Sequence, residues 1–508
     1  MSFNGDKIKS TIGVVLGLTS LFVFIYLIRF ATGNDIWYDE VFSLSFANRS
    51  FGEIAAFTAR DVHPPFYYFY LKVISSILCL ISGRKYFIVV CKIASLIPWL
   101  FLFIISITYI RKRFGQLTSG LFMLLITIMP QLPSYYFEIR MYSLALLLIT
   151  TEVLISFHIL TNIDKKNNLS WILFFITGIL TAYTQYYACI AIIGSYIAVF
   201  LSLIILKGTE KKRHILKLLI SALLSVILYL PWLPVLRAQI TNISGKYWIQ
   251  PLTLRSIAGC IKFITLPVVY FGKMPEISAG LLIITLLVLT VLFIRHGKRD
   301  DLIIAICCLM PIIIVVLSGF ILSAMGTPIF VYRYLIPTLG GVWLLVAIMA
   351  DRAANRKALL LLILPMLLAG GLNIMGIRAE EGNKLATISH SYDVVSDIPE
   401  GSVIITNFDH VCAVMSYYRP DCQVLLYEAE IDKLLPDMQG NITDNVHDLD
   451  IEKLVSSQDK EVYFWGSFNS REEIVESWTT LGINNELMDN ILIERYWINV
   501  YKLSGAVK

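Results

Sequence analysis

The chain has 508 residues, of which 57% are hydrophobic and only 16% charged, with a formal net charge of +5 and a mean hydropathy of +0.71. Soluble domains carry about 25% charged residues, so these values exclude an ordinary globular protein and predict a polytopic α-helical membrane protein. The small positive charge is scattered over loops and gives no footing for a nucleic-acid partner.

The first apolar run, Thr11–Phe30, follows Lys7 and Lys9. Arg29-Phe30-Ala31-Thr32 offers no small-residue cleavage site, so the run reads as a retained signal anchor. Next comes a first loop, 31–63, that holds most of the acids of the first hundred positions: Asp35, Asp39, Glu40 and Asp61 among them. Further candidate spans of about 20 residues fall at 64–82, 87–109, 115–133, 137–160, 170–186, 187–206, 215–236, 278–294, 302–323, 330–350 and 358–376. About 11–13 transmembrane helices are therefore expected. Basic loops mark the cytoplasmic side: Arg111-Lys112-Arg113, Lys165-Lys166, Lys211-Lys212-Arg213, Arg295 to Arg299 and Arg352 to Lys357. From residue 111 onward they alternate correctly with the spans. Before it they conflict, because three full crossings after Lys9 would put Arg111-Lys112-Arg113 outside. Either the triplet breaks the rule or one early segment does not cross. The segment 253–273 is interrupted by Arg255, Lys262 and Pro267 and reads as an interfacial helix.

Near residue 380 the composition changes. Ser402–Thr406, Gln423–Tyr427 and Glu461–Trp465 read as short buried strands, Asp409–Tyr418 and Arg471–Thr480 as helices, and Ile491–Leu503 as a last strand or hairpin. The expected organisation is a membrane domain over 1–376 and a small extracytoplasmic α/β domain over 377–508, the latter an acceptor-side module. Six cysteines lie in apolar runs and read as small buried hydrophobes; Cys412 and Cys422 could pair.

The residues that could do chemistry gather on the face opposite the basic loops. Asp39, after Trp37-Tyr38, suits a general base that takes a proton from an attacking hydroxyl, with Glu40 beside it; equally, both could be solvated loop acids among interface aromatics. Asp61 and His63 precede Pro64-Pro65, which set a rigid start to the next apolar run. A divalent ion, if one is used, would draw on Asp39, Asp61 and His63, although a lone Asp-x-His favours a local helix-start role. Arg140 opens one span and Arg333 another, where a guanidinium is costly unless it faces an anion. Two arginines on one face suit a phosphate-bearing ligand. Tyr183, Gln185 and Tyr186 could contact a sugar or simply belong to the interface belt, and Lys246-Tyr247-Trp248 adds cation and aromatic surface.

Trp37-Tyr38-Asp39-Glu40, Asp61-Val62-His63-Pro64-Pro65-Phe66-Tyr67-Tyr68, Glu138-x-Arg140-Met141-Tyr142, Pro231-Trp232 and Arg333-Tyr334 together resemble the GT-C glycosyltransferases. The resemblance is to the branch related to protein O-mannosyltransferases and the lipid A aminoarabinose transferase, and it covers about residues 10–376. It implies inverting transfer of a hexosyl or pentosyl unit from a polyprenyl-phosphate donor to a glycan, lipid or protein hydroxyl, at the outer face of the cell membrane. Asp39 and Glu40 match the position of the catalytic acid. Asp61, His63, Arg140, Tyr142, Tyr183, Gln185, Arg333 and Tyr334 fall at substrate-binding positions. Many relatives have a His where this chain has Gln185. No cofactor is required by the resemblance, and metal use differs among its branches. The rival reading is a transporter or flippase of lipid-linked sugars, but a carrier would keep its polar residues near mid-membrane and often show internal repeats.

Overall fold

The structure, a computed structural model, describes residues 3–505 apart from 34, 166, 207, 209, 244–248, 270, 297, 327, 354–355, 447 and 457–459. Lys246-Tyr247-Trp248 thus lies outside the described residues. The chain forms two compact units that do not follow a single cut near residue 376. One comprises 1–32, 58–74 and 92–378; the other takes 33–57, 75–91 and 379–508. Most of the first loop therefore folds with the C-terminal part of the chain.

Helices follow in chain order. They are α1 (Phe3–Ile28), α2 (Tyr38–Ala47), α3 (Phe51–Arg60), α4 (Phe66–Ser82), α5 (Phe87–Ile105), α6 (Arg111–Phe114), α7 (Gln116–Ile128), α8 (Tyr142–Thr161) and α9 (Asn168–Ala182). Then come α10 (Tyr186–Ile205), α11 (Lys211–Tyr229), α12 (Leu233–Ile243), α13 (Leu254–Thr265), α14 (Met274–His296), α15 (Arg299–Ala324), α16 (Ile336–Ala353) and α17 (Arg356–Asp397). A π-turn over Ser106–Ile110 joins α5 to α6 without a break. Among the described residues, nine helical segments are long and apolar enough to cross a membrane.

Glycines set the closest contacts of the membrane unit. A Cβ on Gly120 would stand 1.8 Å from the Gly13 carbonyl oxygen, and one on Gly13 would stand 2.3 Å from that of Gln116. Backbones that touch in this way are the usual means of helix association where the hydrophobic effect is weak. Ser20 of α1 reinforces the pair by donating to the Met123 carbonyl oxygen at 2.8 Å. Gly194 of α10 plays the same part against Met310 and Pro311 of α15.

Ion pairs settle the early topology. Lys9 lies 3.1 Å from Asp351, Arg352 lies 3.2 Å from Asp301, and Arg113 lies 3.0 Å from Asp300. Lys9 and Arg113 therefore share one face with the α14–α15 and α16–α17 turns. Between them α1 crosses once and the continuous helical segment Arg84–Phe114 crosses once. No net crossing is left for α4, which at 17 residues is one of the shorter apolar helices. The expectation of a span at 64–82 is corrected, and the basic triplet obeys the charge rule after all. The two other short apolar helices, α7 and α9, cross because the alternation of basic loops demands it, which brings the crossings to eleven among the described residues. α13 is the helix expected to lie along the interface: Leu254, Ile257 and Ile261 are exposed while Cys260 and Thr265 are buried.

The second unit carries a six-stranded sheet of β1 (Val403–Thr406), β2 (Gln423–Tyr427), β3 (Ile442–Val446), β4 (Val462–Ser467), β5 (Ile483–Ile493) and β6 (Tyr496–Gly505), in the order β3-β2-β1-β4-β6-β5. The first four run parallel and the last two form an antiparallel hairpin. Four helices, α18 (Asp409–Tyr418), α19 (Leu434–Met438), α20 (Asp448–Ser456) and α21 (Ser470–Thr480), connect the parallel strands and lead into the hairpin. Parallel strands buried on both faces read as unbroken apolar runs, so β1, β2 and β4 were legible in the sequence. β3, with Thr, Asp and Asn in its run, was not. Cys412 and Cys422 are buried and separate rather than paired.

A cysteine placed at Arg84 should react with an impermeant thiol reagent from the face opposite to one placed at Arg111, in a background without reactive native thiols. Labelling of both from the same face would restore α4 as a crossing.

Candidate active site

In the membrane unit the site begins at the residues before α4. Proline brings no N–H, so Pro64-Pro65 reduces the donors left open at a helix start. The first remaining one, the Phe66 N–H, donates to the Tyr183 carbonyl oxygen at 3.0 Å. His63 stands one residue upstream, held off helical geometry by the proline that follows. It is only 7% exposed, and its Nδ1 has no hydrogen-bond partner among the described residues. Burial, then the positive charges of Arg140 and Arg333, push its pKa well below the usual histidine range. His63 is thus a neutral imidazole beside two guanidinium groups.

Arg140 is 4% exposed and reaches the Tyr68 hydroxyl at 3.5 Å through Nη1. Its backbone N–H donates to the Glu138 carbonyl oxygen at 2.7 Å. The loop that carries it is pinned by Tyr136, which donates to the Ile126 carbonyl oxygen and packs on Trp99. Tyr142, fully buried at the first turn of α8, lies within electrostatic reach of Arg333, Arg140 and Glu138. The structure therefore brings together His63, Arg140, Tyr142 and Arg333 from segments far apart in the chain. Two guanidinium groups beside a neutral imidazole form a positive cluster of the kind that suits an anion.

Gln185 sits at the start of α10, 1% exposed, with neither amide atom hydrogen-bonded among the described residues. Asp61 lies within electrostatic reach of Tyr186, whose hydroxyl bonds to Gln239 and accepts from the Trp232 indole at 3.0 Å. Gln239 in turn donates to the carbonyl oxygens of Thr58 at 2.9 Å and Ala59 at 3.3 Å. This amide ties α12 to the end of α3 and was not singled out from the sequence; a glutamine in a polar helix carries no signal of that kind. Tyr183 and Tyr334 have packing duties. The Tyr183 hydroxyl donates to the Leu228 carbonyl oxygen at 2.8 Å, and Tyr334 stacks on Tyr187 at 4.5 Å.

Asp39 and Glu40 belong to the second unit, at the start of α2. Their treatment differs. Glu40 is 4% exposed and turns back to accept the Trp37 backbone N–H at 3.2 Å, the capping role of a third-position acid. Asp39 is half-buried. The backbone N–H of the intervening Tyr38 donates to Glu494 at 2.7 Å, and its ring stacks on His410 at 4.5 Å. Of the two acids, Glu40 is the one that shapes the helix start, which leaves Asp39 as the candidate base. Neither Glu494 nor His410 was suspected from the sequence, because both lie more than 370 positions downstream.

Among the described residues no group of three or more His, Cys, Asp or Glu side chains is placed to hold a metal ion. The trio Asp39, Asp61 and His63 is not such a group.

Unfolded histidine titrates near about 6.5, and folded His63 lower, so between those values the unfolded chain binds more protons. Stability should therefore fall as pH drops through that window. His63→Gln should flatten the loss of Tm in detergent between about pH 7.5 and 5.5; parallel curves for variant and parent would show that His63 is not buried as a neutral ring.

No family model matches the sequence, and no curated protein matches it. Solved structures do. ArnT from Cupriavidus metallidurans bound to undecaprenyl phosphate aligns with a TM-score of 0.58 at 11% identity, covering 97% of this chain and 98% of ArnT. Its apo form aligns at 0.56 and 11% identity over 96% and 97%. The Archaeoglobus fulgidus oligosaccharyltransferase in complex with Zn and sulfate is a more distant likeness, with a TM-score of 0.45 at 11% identity over 93% of this chain and 69% of its own. The match runs over 97% of this chain, so its fold, a helical membrane part with a small C-terminal α/β part, is a GT-C-like fold shared with ArnT.

Proposed function

We propose that this chain is a membrane glycosyltransferase that moves one sugar from a polyprenyl-phosphate donor to a hydroxyl of a glycan, lipid or protein acceptor. The observation that carries the reading is the buried, neutral His63 beside Arg140 and Arg333, a cationic cluster in a fold shared with a protein crystallised with bound undecaprenyl phosphate. The basic loops mark the cytoplasmic side, so the donor is met at the outer face of the cell membrane, opposite Lys9 and Arg113.

The reaction asks two things of the chain. A cationic holder must stabilise the leaving phosphate, and the membrane unit supplies Arg140 and Arg333, whose planar forks suit phosphate oxygens. Neutral His63 offers a donor N–H to the same group and takes up a proton when the anion arrives, because a nearby negative charge favours the imidazolium. A base must take the acceptor's proton, and the second unit supplies Asp39. In a single displacement the acceptor oxygen bonds to the anomeric carbon as its proton passes to Asp39. The bond from that carbon to the phosphate oxygen breaks with inversion, and the polyprenyl phosphate leaves as the anion. Gln185, with both amide atoms open, and Asp61 beside Tyr186 are proposed to hold sugar hydroxyls.

The test is a panel of radiolabelled undecaprenyl-phosphate sugars offered to purified protein. Asp39→Asn should lower transfer by about 10²–10⁴-fold, the usual span for a lost general base, with Tm unchanged; normal transfer would remove Asp39 from the mechanism. Arg140→Ala should weaken binding of undecaprenyl phosphate and lower transfer by about 10²–10³-fold, with Arg140→Lys only partly restoring it because the fork is lost. Unchanged phosphate binding would refute the role. Calorimetry of undecaprenyl phosphate binding in buffers of different ionisation enthalpy should show proton uptake that disappears in His63→Gln.

A further inference from the structure

We infer that Glu494 and His410, both contributed by the C-terminal part of the second unit, are positioning residues for Asp39. The inference rests on the reading of Asp39 as the base.

The first turn of any helix leaves backbone N–H groups without intrahelical partners. In α2 the Glu40 and Val41 N–H groups bond to the Trp37 carbonyl oxygen at 2.8 and 3.1 Å. The Tyr38 N–H goes instead to Glu494 Oε1 at 2.7 Å. The other carboxylate oxygen, Oε2, accepts from His410 Nδ1 at 3.1 Å. The His410 ring lies between two aromatic rings, stacked on Tyr38 (4.5 Å, 17°) and on Phe408 (4.7 Å, 7°). Tyr38 is thus gripped by its backbone and by its ring, and Asp39 is the next residue. One carboxylate links both grips.

Two features show that Glu494 is held for its side chain. It is the first of the two residues between the paired Ile493 and Tyr496, at the tip of the β5–β6 hairpin, with φ +55°. Glycine takes that backbone conformation without strain, and glutamate does not. Its carboxylate is also only 5% exposed, a burial that is unfavourable unless hydrogen bonds compensate it. A hairpin selected for folding alone would carry Gly or Asn there. The charged groups that act on His410 are Glu494, Asp409 and Asp39, so the imidazole also stands within electrostatic reach of the carboxylate it helps to place. Its pKa is raised by the Glu494 bond and by these three acids against the opposing effect of burial.

The strain makes a clean variant available. Glu494→Gly suits the hairpin backbone, so the sheet should stay folded while the link to Tyr38 is lost. His410→Phe keeps a ring for stacking and loses the bond to Glu494. Glu494→Gln keeps an oxygen that can accept the Tyr38 N–H. The full-length protein is assayed with the undecaprenyl-phosphate sugar that the panel identifies, alongside Asp39→Asn, and amide hydrogen exchange is followed over residues 38–43. Glu494→Gly and His410→Phe should lower kcat by about tenfold to a hundredfold, the range expected for a misplaced catalytic group, with KM for the donor unchanged. Exchange at the first turn of α2 should rise at least about tenfold, and Glu494→Gln should stay within about threefold of the parent in kcat. Full activity of Glu494→Gly while Asp39→Asn is inactive would overturn the inference and leave the proposed base standing. Equal loss in Glu494→Gln and Glu494→Gly would also overturn it, since charge and not placement would then be at work. Activity in Asp39→Asn would overturn the base; unchanged exchange in Glu494→Gly would overturn the positioning role whatever the activities.

Discussion

A guanidinium kept from water is the constraint on which the membrane unit depends. Arg140 is almost wholly buried, and burial of His63, helped by the charges of Arg140 and Arg333, drives protons off its ring. Such an arrangement suits an anion, because hydrogen bonds from guanidinium groups to anionic oxygens are among the stronger ones. Fixed positive groups of this kind are how preorganised sites gain strength in a low dielectric. The helices around the site must be rigid to keep that arrangement from relaxing.

Rigidity comes from small residues and from pinned loops. The Gly13–Gly120 and Gly194–Pro311 contacts bring backbones together without side chains between them. The ion pairs Lys9–Asp351, Arg113–Asp300 and Arg352–Asp301 join the helix ends on the basic face. Each exposed pair is worth little alone. Their value here is register, because they fix which helix ends share a face. On the other face, Gln239 binds the end of α3, and Tyr183 receives the first N–H of α4. These bonds run through backbone carbonyls and amides, so they constrain chain path more than side-chain identity.

The second unit solves a different problem. A short helix such as α2, ten residues long, is marginal by itself, and an acid at its second position would wander with it. Burial of Val41, Phe42, Leu44 and Phe46 and the capping bond of Glu40 make the helix stable within its unit. Arg49, just past α2, donates to the Met438 carbonyl oxygen at 2.8 Å, and Gln439 bonds to Ser45. The C-terminal part is therefore more than an appendage to the loop: it supplies the surface on which α2 is built.

The sequence by itself determined the class of protein, the positions of nearly all crossings, the α/β character of the C-terminal part and the short motifs around Asp39, His63, Arg140 and Arg333. These follow from local rules: apolar runs of a fixed length, basic loops on one side, prolines before a helix, charges where charge is costly. It did not determine that α4 fails to cross, since its apolar content matches that of a span and only the pairing of Arg113 with Asp300 excludes it. Nor did it separate Asp39 from Glu40. Neighbours in sequence point in different directions around a helix, and the one that caps Trp37 is named by a bond, not by a pattern. Which groups gather round His63, and that Glu494 and His410 grip Tyr38, were decided only by the tertiary structure, because contacts between residues hundreds of positions apart leave no periodicity for a single chain to show.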